Sequence, residues 1–174
     1  FLIQGEYGAA LSGQPQAVQV IAMGGGKFDA YLLEGGLPGF GYTREKARTK
    51  LSGETADGKT VLQSADGKIS AEIAGGKITV TEGEKTLAVL PRVERMSHTT
   101  GEKPPAGATV LFNGSNADEW NKPEAFQDGL LANLDISTKR KFGSYRLHLE
   151  FRTPFKPDAR GQGRGNSGVY HQHR

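Results

Sequence analysis

Residues 145–174 read YRLHLEFRTPFKPDARGQGRGNSGVYHQHR. The run opens on strict alternation: Leu147, Leu149 and Phe151 point one way, and His148, Glu150 and Arg152 point the other. Successive side chains leave opposite faces of a sheet, so this two-residue period predicts a half-buried strand over residues 145–152. Thr153-Pro154 ends it, because proline has no N–H to give to a ladder. A loop rich in glycine and arginine follows over residues 158–165, and a second short strand is expected to begin near Ser167. Charge and polarity converge where the backbone is freest, which is the pattern of a binding site.

Upstream of this stretch, residues 109–112 (TVLF) read as a strand running into an Asn113-Gly114 turn, and residues 130–136 read as another. Trp120 suits a sugar-stacking platform or a core plug, and its setting favours the plug. The basic run 138–142 (TKRKF) reads as a solvated edge that discourages strand-to-strand association. Residues 92–107 lose all periodicity and contain Pro104-Pro105, which stiffens a linker. His98, within it, reads as a surface histidine.

Earlier still, the chain is regular. Asp57-Gly58-Lys59, Asp66-Gly67-Lys68, Gly75-Gly76-Lys77 and Gly83-Glu84-Lys85 recur between short apolar runs. Asp-Gly and Gly-Gly supply the positive φ that tight hairpins need, so residues 52–93 are expected to form an antiparallel meander. Residues 17–23 and 27–33 make a hairpin around Gly24-Gly25-Gly26, residues 5–13 an edge strand or loop, and residues 42–50 a loop.

Bulk properties narrow the function. The 174 residues carry a net charge of +3, too little to demand a polyanionic partner. No cysteine is present, which removes disulfides, thiol catalysis and cysteine–zinc sites. No apolar run approaches the length of a membrane span. Residues 145–174 hold six Lys/Arg against two Asp/Glu, and arginine–glycine segments do bind phosphates. The aromatic interleaving is thin, however, and the rest of the chain is slightly acidic, so no nucleic-acid partner is expected.

FGSYRLHLEFRTPFKPDARGQGRGNSGVY resembles the signature of the 3-keto-disaccharide hydrolase domain family, and VLFNGSNADEW resembles its FNG…W entry strand. GEYGA and QVIAMGGGKFDAYLLEGGLPG resemble an N-terminal extension that some members carry. The resemblance implies an all-β chain: a meander module over residues 1–95, a Pro-rich linker over 96–107, and the first part of a concanavalin A-like, jelly-roll sandwich over 108–174. It also implies that the sandwich continues past Arg174, so a C-terminally truncated member is expected. A periplasmic or extracellular location follows by the same resemblance. The chain opens at Phe1 with no signal peptide, and any targeting segment is expected to have been removed or to lie outside this sequence.

The implied activity is cleavage of 3-keto-glycosides. A ketone at C3 acidifies the C2 proton, and the glycosidic oxygen on C1 lies β to that ketone. A base takes the C2 proton, a cation holds the enolate, the aglycone leaves and water adds. Glu150 is the candidate base, with Arg152 or Arg164 as the cation. A neighbouring arginine lowers a carboxylate's pKa and weakens it as a base, but the ketone makes a modest base sufficient. An ordinary glycosidase needs two carboxylates, and only Asp158 offers itself as the second.

His148, Arg160, Arg164, Asn166, Tyr170 and Gln172 are the candidate substrate ligands. If Val169 and His171 face the core, alternation sends Tyr170 and Gln172 to the opposite side, towards a cleft shared with Glu150, Arg152 and Asn166. The bland account of Glu150 and Arg152 is a surface ion pair. His171 and His173 share a spacing that can chelate, and a divalent metal stabilising the enolate would make chemical sense. The alternative from another class is a non-catalytic carbohydrate-binding, lectin-like module on the same fold.

Overall fold

The computed structural model describes residues 2–9, 13 and 15–171. The chain divides into two compact units, which are described separately. The first comprises Phe1–Met96 with Thr153–Asn166, and the second Ser97–Arg152 with Ser167–Arg174.

The first unit is built on a closed eight-stranded antiparallel barrel. Its strands are β1 (Gly5–Tyr7), β2 (Gln16–Gly24), β3 (Lys27–Glu34), β4 (Arg48–Ala56), β5 (Lys59–Ser64), β6 (Ile69–Ala74), β7 (Lys77–Glu82) and β8 (Lys85–Val93). Each pairs with the next in sequence, as the turn chemistry requires. Gly25 and Gly26 take φ of 56° and 73°, Asp57 and Gly58 take 48° and 77°, and Gly75 and Gly76 take 55° and 73°. Those values bend the chain with the right-handed twist of the flanking strands. The expected meander is therefore present. It also closes on itself: Tyr7 on β1 pairs with Arg92 on β8. Arg95 reinforces this seam by gripping the Glu6 carboxylate through Nε and Nη2 and donating to the Pro38 carbonyl at 2.9 Å. Closure removes the exposed sheet edges that an open meander would present.

Alternation fills the interior. Val18, Val20, Ala22, Phe28, Ala30, Leu32, Leu51, Leu62, Ala71, Ile73, Ile78, Val80 and Leu90 form one buried cluster with Tyr7. The buried Tyr7 hydroxyl donates to the Ile3 carbonyl at 2.7 Å, and Thr60 shares a 2.7 Å hydrogen bond with Thr55, so neither polar group is stranded. Burial pushes the Tyr7 phenol above its usual range, against a smaller opposing effect of the Arg92 charge. Arg48, Thr49 and Lys50, expected in a loop, join β4. Lys50 is held there by a 2.8 Å ion pair with Asp29 on β3.

In the second unit the strand expectations need correction. Its only paired strands among the described residues are β9 (Phe126–Gln127) and β10 (Leu130–Leu131), a two-stranded ribbon. Residues 109–112, 132–136, 145–152 and 167–170 form no ladder. Alternation specifies which way side chains point, but a strand exists only when a neighbour takes its N–H and C=O groups. Residues 145–152 find no such neighbour among the described residues, and Phe151 is 81% exposed instead of core-facing. The local turn expectations fare better. Asn113 accepts from the Ser115 N–H at 3.1 Å, and Gly114 takes a φ of 84°. Trp120 is half-buried, with its indole N–H on the Leu111 carbonyl at 2.8 Å, which suits the plug role.

Candidate functional site

Glu150 is the best-organised acidic group of the second unit. Its Oε1 accepts a 2.6 Å hydrogen bond from the backbone N–H of Gly101. His148 Nε2 lies 3.2 Å from the same oxygen. The 148/150 spacing predicted a shared side, and the two groups do share one. The Gly101 N–H, and then the His148 hydrogen bond, hold the Glu150 carboxyl below the usual glutamate range; slight desolvation opposes them less, and the His148 charge adds to them. Glu150 is thus ionised at neutral pH and oriented from two directions.

The surface ion pair that was the bland account of Glu150 and Arg152 is not formed among the described residues. Arg152 is exposed. A long guanidinium chain has several rotamers that reach solvent, and an exposed pair gains little from Coulomb attraction. Gly101 was missed by sequence reasoning. It lies in the aperiodic linker, at a φ of 74°, and a backbone donor carries no side-chain signature.

The opposite face of the same segment also keeps its register. Tyr145, Leu147 and Leu149 line one open hollow with Val169 and His171. The Tyr145 and His171 rings stack at 5.6 Å, and the Tyr145 hydroxyl shares a short hydrogen bond with His171 Nδ1. Val169 and His171 therefore meet the predicted apolar face, although Val169 remains 50% exposed. Tyr170 is exposed, its ring lying against the space above Gly168. Asn166 is exposed, and Gln172 and His173 lie outside the described residues. No three His, Asp or Glu side chains gather among the described residues, and the metal candidates His171 and His173 cannot be paired there because His173 lies outside them.

Arg160 and Arg164 belong to the first unit. Arg160 donates to the Met23 carbonyl at 2.8 Å, and Arg164 to the Ala22 carbonyl at 2.8 Å. Both also hold their own loop, through the carbonyls of Pro157 and Ala159. Arg164 reaches Gln4 Oε1 at 3.3 Å as well. These forks are engaged on backbone oxygens of the barrel. Gln4 and Gly24, which complete this seat, were not anticipated. The one available signal was the third glycine of Gly24-Gly25-Gly26, since a two-residue hairpin turn needs only two.

Residues 107–174 match the family model of the 3-keto-alpha-glucoside-1,2-lyase-like domain. The match bears out the resemblance read from the C-terminal motifs, covers less than half of the chain, and contains Glu150, His148 and the arginine loop. No curated protein and no solved structure matches the chain.

Proposed function

We propose that the C-terminal region cleaves 3-keto-glycosides, with Glu150 as the base. The observation that carries this reading is an ionised carboxylate, fixed by the Gly101 N–H and His148, inside the segment that matches the lyase-like family. Glu150 takes the C2 proton, and the C2–H electrons form the C2=C3 bond of an enolate. Its negative charge rests on the C3 oxygen, where the exposed Arg152 guanidinium is the cation of choice. The enolate then re-forms the ketone as C1=C2 forms and the C1–O bond breaks. The departing oxygen takes a proton and leaves as the alcohol. Water adding across C1=C2 completes hydrolysis.

A carboxylate with a lowered pKa is a weaker base, and the ketone offsets this by acidifying the C2 proton. His148, touching Glu150, is placed to share the proton. We further propose the concanavalin A-like sandwich as the frame of this region, on the strength of the family resemblance. A periplasmic or extracellular location accords with the family resemblance.

A 3-keto-glucoside carrying deuterium at C2 tests the chemistry. The account expects a slowed reaction and a product whose C2 hydrogen comes from solvent. Retention of the deuterium together with an unslowed reaction would exclude proton abstraction at C2. The second reading, a lectin-like module, is favoured by the exposure of Tyr170 and Phe151, whose faces suit sugar stacking. It predicts binding of the keto-sugar with no turnover.

A further inference from the structure

The barrel has one corner where its own hydrogen bonding is incomplete. β1 begins only at Gly5, opposite Val20, so Ala22 lies beyond the β1 ladder. The β2–β3 register shifts between Ala22 and Gly24, leaving Met23 without a cross-strand partner. A bulge of this kind frees backbone groups that a regular ladder would occupy. Two carbonyls, those of Ala22 and Met23, are thereby presented side by side. Gln4 Oε1 takes the matching Ala22 N–H at 3.0 Å.

The arginine loop fits this corner by three independent features. Arg164 takes the Ala22 carbonyl and Arg160 the Met23 carbonyl. Gln4 Oε1 serves both the Ala22 N–H and Arg164, joining loop to barrel through one atom. Asp158 occupies the space in which a side chain on Gly24 would begin, so Gly24 leaves room for the loop as well as bending the chain at a φ of 86°. A guanidinium suits the task, because its planar fork spreads five donors over three nitrogens and spans carbonyl oxygens that a single ammonium nitrogen reaches less well.

We propose that this corner of the barrel, formed by Gln4, Ala22, Met23 and Gly24, is a docking surface for the arginine–glycine loop of residues 157–165. Arg160 and Arg164 are its anchors, and their donors serve the barrel before any outside ligand. The proposal stands apart from the sugar chemistry, and its test uses no substrate.

Trypsin reads it directly, because cleavage requires the arginine side chain to leave its partners and enter the protease. The full chain is digested under native conditions, and cuts after positions 160 and 164 are timed by mass spectrometry. Rates are compared with those of a synthetic peptide of residues 153–168, which sets the unprotected value. In the wild-type chain both cuts are expected to be much slower than in the peptide. Arg160→Lys with Arg164→Lys keeps both trypsin sites and both charges but loses the forks. Relative to its own lysine peptide, its protection should fall by about tenfold or more, as the loss of several hydrogen bonds implies.

Gly24→Ala leaves the arginines intact and should release the loop through its blocked seat, with hydrogen exchange of β4–β7 reporting whether the barrel survives. Adding a single-stranded oligonucleotide should leave wild-type protection unchanged. Peptide-like cleavage of the wild-type chain would overturn the proposal, as would full protection in the double-lysine variant. Loss of protection on adding the oligonucleotide would also overturn it, by assigning the arginines to phosphate.

Discussion

Glu150 and the backbone N–H of Gly101 meet at 2.6 Å, a charge-assisted hydrogen bond linking residues 49 positions apart. A carboxylate that accepts from an amide and from His148 is stabilised in its ionised form. The folded-state pKa therefore lies below the unfolded value, and the group ionises earlier as pH rises.

For catalysis this sets the acidic limb of the pH–rate profile. Activity that needs ionised Glu150 should persist below the usual glutamate range, near pH 4.3, and fall only as pH drops through the lowered pKa. His148→Ala removes one of the two donors and should move the limb upward. Carboxyl NMR titration of Glu150 in both chains checks this. An unmoved titration in the variant would mean that His148 does not act on the carboxylate.

Asp29 carries a second pH signature, this time in the barrel. Burial alone would raise its pKa, but hydrogen bonds from Lys50 and Ser52, with the charges of Lys50 and Arg160, outweigh it and hold the carboxyl low. A depressed pKa contributes stability that is present above the unfolded value, near pH 3.9, and lost as pH falls through the folded one. The wild-type chain should thus melt higher than Asp29→Asn at neutral pH, and the gap should shrink below about pH 4. A gap that is constant with pH would assign Asp29 a purely packing role.

Leu62 and Val61 are neighbours on β5 with opposite fates, Leu62 sealed in the barrel and Val61 41% exposed. Leu62→Ala should cost about 2–5 kcal/mol in urea unfolding, and Val61→Ala within about 1 kcal/mol. Equal losses would show that the strand's faces are not those described.

Gly53 faces β5 so closely that a Cβ would strike the Val61 carbonyl oxygen, a backbone atom that cannot swing aside. Gly53→Ala should therefore destabilise by about 1–3 kcal/mol, although alanine in a strand ordinarily improves on glycine. A neutral or stabilised variant by denaturant titration would show that β4 and β5 can part at that point.

How much of this was legible in the sequence follows from the range of each interaction. Asp57-Gly58 and Gly75-Gly76 encode their own turns, so the meander could be read residue by residue. Its closure could not, because Tyr7 finds Arg92 from the other end of the module and three residues of β1 carry little pattern. The alternation over residues 145–152 correctly sorted side chains into faces. It overreached in implying a strand, since pairing depends on a neighbour that the pattern does not name.

At the candidate site, two-residue spacing brought His148 to Glu150 but could not decide between His148 and Arg152 as its partner. Gly101 contributes only a backbone N–H, which leaves no trace in composition. The arginine loop was legible as polar and poised to bind. Its partners, the carbonyls of Ala22 and Met23, became available through a bulge that no residue type announces.

The role of Glu150 as base is open to test with a chromogenic 3-keto-glucoside, run beside the ordinary glucoside. The leaving group should be released from the keto-sugar alone. Glu150→Gln should lower that turnover by about 10²–10⁴-fold while leaving keto-sugar binding intact. Equal cleavage of both sugars, or undiminished turnover in the glutamine variant, would contradict that role.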